Sequence, residues 1–82
     1  MTYQVVLIKI DSRATEAIKV QEVLTEFGCN IKVRLGLHEV TEDKCANDGL
    51  VVLEVGGDKA EIKEMIDKLN AIEYVNAKHI EM

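Results

Sequence analysis

Ile31 to Val55, IKVRLGLHEVTEDKCANDGLVVLEV, is the stretch on which the fold of this chain turns. Ile31, Val33, Leu35 and Leu37 alternate with Lys32, Arg34, Gly36 and His38. Strict alternation marks a strand with one covered face. Glu39 to Asp48 (EVTEDKCAND) is polar and acidic and reads as a long hairpin loop. Gly49 to Val55 (GLVVLEV) reads as the strand that returns beside the first.

Outward from this central hairpin, each flank supplies one helix and one strand. On the N-terminal side, Tyr3 to Ile10 (YQVVLIKI) is rich in β-branched residues and forms a strand. Asp11-Ser12 stops it and offers acceptors to the free N–H groups of a helix over Arg13 to Phe27. Ala14, Ala17, Val20, Leu24 and Phe27 make one stripe on that helix, and Gly28 ends it. On the C-terminal side, Gly56-Gly57 turns the chain and Asp58 with Glu61 has the spacing of a capping box. Ile62, Met65, Ile66 and Leu69 share a face of the second helix, which Asn70-Ala71 ends, and Glu73 to Ile80 (EYVNAKHI) forms the last strand.

The order is β-α-β-β-α-β. Right-handed crossovers then predict an α+β, ferredoxin-like sandwich in one domain over residues 1–82. Its four-stranded antiparallel sheet has the first and third strands central and both helices on one face.

Eighty-two residues enclose one core and no deep cavity, so ligand space is expected at the surface or between copies. The longest uncharged apolar run, Val5 to Ile8, is far short of the ~20 residues of a membrane span. The start of the chain has neither a basic segment nor a cleavage site, so a cytoplasmic location is expected, without membrane partners. The net charge is −5, from 10 Lys and Arg against 15 Asp and Glu, and only Tyr3, Phe27 and Tyr74 are aromatic. Such a chain repels phosphate backbones and lacks a stacking platform, so direct nucleic-acid binding is not expected. Cys29 and Cys45 form no CxxC pair, and neither a disulfide framework nor a cysteine-held cluster is indicated. No nucleophile–base constellation, HExxH, P-loop or GxGxxG is present, so neither catalysis nor a resident cofactor is expected.

The central strands carry the most telling pattern. Lys9 and Glu54 mark the sheet face turned away from the helices, because an unpaired charge beneath a helix is costly. Counting by twos from them places Val5, Leu7, Leu50 and Val52 on that same face. Four clustered aliphatic side chains on a nominally wet surface indicate self-association, as a homo-oligomer of dimer or tetramer size, through this face or a strand edge.

The element order, IKVRLGL, the acidic hairpin, GLVVLEVGGDKAEI and LNAIEYV (Leu69 to Val75) together resemble small stand-alone ACT-like proteins. The nearest are the iron-only hydrogenase system regulators. The resemblance runs from about Val5 to Met82 and implies a regulator, by name one of hydrogenase gene transcription. A more distant likeness is to the regulatory half of the nickel-responsive repressor, an ACT-like tetramer that binds nickel through histidines and a cysteine around its second strand. His38 and Cys45 match that pattern, but the second histidine of its His-x-His is Val40 here, and its ribbon–helix–helix segment has no counterpart. ACT domains that bind amino acids usually carry a glycine at the first strand–helix turn, which here is Ile10-Asp11-Ser12-Arg13.

Two candidate sites follow. Lys32, Arg34, Gly36 and His38 share one parity, taken as outward, and are candidates for the wall of a small-ligand pocket between subunits. Gly36 would leave the hollow and Arg34 would fix a carboxylate or phosphate. The alternative for Arg34 is a cross-strand ion pair with Glu54. His38 and Cys45 are candidate metal ligands, completed by Glu39 or a second subunit, against the alternative of a solvated histidine and a loop cysteine. His79 reads as a partly buried packing residue. The expected effector is therefore a small molecule or a metal ion, and the remaining alternative is a ligand-free oligomeric adaptor.

Overall fold

The computed structural model describes residues 2–11, 14–40 and 45–82, and the side chains of 2–11, 16–36 and 49–82. The elements are β1 (Gln4–Ile10), α1 (Ala14–Glu26), a 3-10 turn (Gly28–Asn30), β2 (Ile31–Val40), β3 (Cys45–Val55), α2 (Lys59–Asn70) and β4 (Val75–Glu81). The sheet order is β2-β3-β1-β4, antiparallel throughout, with β1 and β3 central as expected. Ser12 and Arg13, read as the cap and first residue of the first helix, lie outside the described residues.

Period-two and period-3.6 patterns meet in one core. Val6, Ile8 and Ile10 of β1, Leu53 and Val55 of β3, and Val75 and Ala77 of β4 face the helices. They pack with Val20, Leu24 and Phe27 on the first helical segment and with Ile62, Met65 and Leu69 on α2. Each large aliphatic side chain so buried contributes ~1.5–3 kcal/mol.

The turns are fastened by specific polar contacts. Asn30, buried, donates from Nδ2 to the Gly56 carbonyl (3.2 Å), and the Gly56 N–H donates to the Asn30 carbonyl (2.8 Å). Gly57 has φ +95°, and a Cβ there would lie 2.8 Å from Asn30 Nδ2. Asp58 caps α2 by accepting from the Ala60 N–H at 2.8 Å. At the other end of α2, the Asn70 amide both accepts from the Ala77 N–H (2.7 Å) and donates to the Ala77 carbonyl (3.1 Å). Lys68 of α2 bonds Glu26 of α1, pairs with Glu64, and lies 5.4 Å from the Phe27 ring centroid. The hydrogen bond to Glu26 is the main reason its pKa is raised from 10.5. The stabilisation that comes from the Lys68 charge is therefore held at neutral pH and is lost as pH climbs through the raised value.

Three expectations are corrected. The stretch Glu39 to Asp48 is not one long loop, since β2 runs to Val40 and β3 starts at Cys45. Ladder hydrogen bonds join backbones and need no apolar side chain, so polar residues extended both strands unseen. The last strand starts at Val75 rather than Glu73, because Tyr74 takes a left-handed conformation (φ 67°) in the preceding turn, where its carbonyl accepts from the Asp11 N–H at 2.9 Å.

The third correction matters most. Ile31 stands opposite Val55 and packs against the core, yet Val33 stands opposite Glu54, and a register shift lies between them. That bulge at Lys32 reverses the parity of the rest of β2. Val33 and Leu35 therefore join Glu54 and Val52 on the bare face of the sheet, 56% and 54% exposed. Arg34 and Gly36, opposite Leu53 and Val51, do not share that face, contrary to the uninterrupted alternation, and Lys32 is the extra residue of the bulge.

Two pairs of substitutions test this architecture. Gly57→Ala should cost about 1–2 kcal/mol in urea unfolding, because an L side chain is strained at positive φ and has Asn30 in its way. Gly36→Ala, with nothing within 4 Å of the new Cβ, should be neutral or stabilising by up to about 1 kcal/mol. Leu35→Lys should change the stability of the dilute chain by no more than about 0.5 kcal/mol, whereas Leu53→Ala, across the ladder in the core, should cost about 2–5 kcal/mol.

Candidate functional site

The bare face is a grid set by the register. One row across the sheet reads Val33, Glu54, Val5, Ile80, and the next reads Leu35, Val52, Leu7, Lys78. Beyond these, Leu50 stands beside Lys9, and Lys9 beside Asn76. Tyr3 and Met82 close the opposite end through paired backbone hydrogen bonds of 2.7 and 2.9 Å. The parity inferred from Lys9 and Glu54 thus places Val5, Leu7, Leu50 and Val52 together, and the β2 bulge adds Val33 and Leu35 to them. Tyr3 and Met82 flank β1 and β4 and Ile80 is the penultimate residue of β4, so a count confined to the two central strands does not reach them.

Two shallow hollows lie on this face. The first, of about 420 Å³, is walled mainly by Tyr3, Val5, Val33, Leu35 and Val52, with Glu54 in it. The second, of about 310 Å³, is formed by Leu7, Lys9, Leu50, Asn76 and Lys78. One is apolar with an acid in it and the other carries two cations.

Lys32, Arg34 and Gly36 form an exposed polar strip on the edge strand. Arg34 stands opposite Leu53 while Glu54 stands opposite Val33, so the cross-strand Arg34–Glu54 pair considered above is not formed, the two residues lying on opposite faces. The Lys32 stem covers Gly56, where a Cβ would meet Cε at 2.8 Å. Gly36 has open space around it. The backbone of His38 pairs with Gly49 and that of Val40 with Cys45, which puts both proposed metal donors on one hairpin. The side chains of His38, Glu39 and Cys45 lie outside the described ones. Among the described residues no three His, Cys, Asp or Glu gather in a metal-binding group, and Cys29 is a free, exposed thiol.

A third hollow, about 420 Å³, sits between α2 and the end of β4 and contains Lys59, Lys63, Ile66, His79 and Glu81. Its cations are already matched, Lys59 to Glu81 (3.0 Å) and Lys63 to Asp67 (2.9 Å). His79 is exposed, with Nε2 3.1 Å from Gln4 Oε1, and is not the packing residue expected. It shares the register row of buried Val6, but it lies towards the end of β4, where the strand's buried positions stop at Ala77.

No helix among the described residues is long and apolar enough to cross a membrane. No family model and no curated protein sequence matches the chain. Solved structures do. An uncharacterised protein from Thermotoga maritima is similar with a TM-score of 0.84 and 24% identity, over 100% of this chain and 99% of that one. The ACT domain of a GTP pyrophosphokinase from Chlorobium tepidum is similar with a TM-score of 0.64 and 12% identity, over 98% and 97%. The apo form of CPII, a nitrogen regulatory PII-like protein from Thiomonas intermedia, is similar with a TM-score of 0.59 and 9% identity, over 100% and 92%. At these identities the likeness is one of fold: the chain is an ACT-like, ferredoxin-like sandwich.

Proposed function

We propose that this chain is a non-enzymatic regulatory module that works as a homo-oligomer, assembled through the bare face of its sheet, and that senses a small ligand at a junction between subunits. The observation that carries this reading is the contiguous apolar face made by Val5, Leu7, Leu50 and Val52 with Val33 and Leu35. An apolar surface spread over three adjacent strands exceeds scattered surface hydrophobicity and stabilises association when covered. Neighbours of the same fold include a nitrogen regulatory PII-like protein and an ACT domain of a larger enzyme, which supports a regulatory role. The resemblance to iron-only hydrogenase system regulators makes hydrogenase gene expression the process we assign.

In this reading the ligand lies along Lys32, Arg34, Gly36 and His38 on the edge strand, with Arg34 binding its carboxylate or phosphate. Because Arg34 and Gly36 do not lie on the bare face, the subunit that completes the pocket meets the edge strand β2 in a second contact, and the ligand favours one assembly over another by its differential affinity for the two. A metal effector is the second reading, favoured by the register that sets His38 and Cys45 on one hairpin.

Light scattering on a sizing column should give a dimer or tetramer at tens of micromolar, and Leu7→Glu should convert it to a monomer with an unchanged circular dichroism spectrum. A strict monomer at that concentration overturns the proposal. A thermal-shift panel of metals, amino acids and nucleotides should find one stabilising class. Loss of that shift in Arg34→Ala points to the anion site, and loss in His38→Ala, with metal found by elemental analysis, points to the metal site.

A further inference from the structure

Val52 and Leu7 are ladder partners at the centre of the bare face. Two residues on along β3 stands Glu54, and two residues on along β1 stands Lys9. Because the strands are antiparallel, these two charges lie on opposite sides of the Val52–Leu7 pair. Glu54 belongs to the apolar hollow and Lys9 to the cationic one, so each end of the face is the charge complement of the other. Glu54 is partly buried and has no ion-pair partner among the described residues. Lys9, its side chain 68% exposed, pairs among the described residues with Asp11 at 3.8 Å, a solvated contact that is easily exchanged.

We propose that the bare faces of two copies of this chain stack about a two-fold axis that crosses the strands at Val52 and Leu7, so that Glu54 of each copy pairs with Lys9 of the other. This rests on the sheet-face reading above and adds to it a register and a pair of ionic contacts. A two-fold interface uses every contact twice, so the single complementarity on one chain yields two ion pairs. Stacked sheets lie ~10 Å apart, a gap that one lysine and one glutamate side chain span together. Leu7 and Leu50 beside Lys9, and Val5 and Val33 beside Glu54, reduce the water around both pairs in the stacked dimer, which strengthens them. An axis running along the strands would instead bring the two Glu54 carboxylates to the same end of the interface, so the charges also select the orientation.

The test is charge reversal with rescue, read as the dimer dissociation constant from dilution light scattering. Lys9→Glu and Glu54→Lys should each weaken association by about tenfold or more, on the scale of coupling measured for close interfacial charges. The double variant Lys9→Glu/Glu54→Lys should return to within about threefold of the parent. An equimolar mixture of the two single variants should associate as the parent does, since both contacts in the mixed dimer again join opposite charges, and this recovery shows that each variant is folded. A parent dimer that Val52→Asp disrupts but neither charge reversal weakens overturns this register and leaves the sheet-face reading intact. A dimer insensitive to Val52→Asp, or a parent chain that stays monomeric, overturns both.

Discussion

Two helices cover one face of the four-stranded sheet, and no element among the described residues forms a third layer over the other face. Much else in the molecule depends on this shortage. On the covered side, alternating β1 and β3 residues interlock with the stripes of α1 and α2, and polar fasteners such as Asn30 and Asn70 set the connecting turns against the sheet. On the other side, the same alternation leaves Val5, Leu7 and Val52 half-buried, with neighbours beside them and no described element above. In a sheet covered on one side only, a strand that is apolar on both faces exposes one of them, and β1 and β3 are both of that kind.

Much of this was legible in the sequence. The element order, the central placement of β1 and β3, the inward set Val6, Ile8, Ile10, Leu53 and Val55, and the outward parity of Val5, Leu7, Leu50 and Val52 all follow from counting by twos and by three or four. The part that was not legible has one main physical cause. A bulge adds a residue without changing composition, so nothing in IKVRLGL distinguishes a continuous alternation from one that reverses at Lys32. That single residue moves Val33 and Leu35 to the bare face, separates Arg34 from Glu54, and turns Arg34 and Gly36 away from the surface proposed for assembly. His79 was misread for a related reason: parity tells which way a side chain points, not whether a helix reaches far enough to cover it.

The likeness to solved structures extends over whole chains at low identity, so the backbone plan is shared more widely than any set of site residues. Within that plan this chain keeps two surfaces apart: an apolar one with one charge motif at each end, and a polar strip along the outer strand. If the first holds subunits together and the second meets the effector, the two events act on different faces of one sheet. Coupling between them then requires β2 itself to differ between assemblies, since it is the strand that contributes to both.

The clasp of Asn70 on Ala77 has a consequence for how the molecule can grow. In an antiparallel ladder every second residue of an edge strand aims its backbone groups outward, ready to recruit a strand from elsewhere. On β4 the outward amide of Val75 is taken by the Ile72 carbonyl, and both outward groups of Ala77 are taken by one side-chain amide. That border of the sheet is sealed along its first half. A strand added on that side of the sheet can therefore pair only beyond Ala77, over the last few residues of β4.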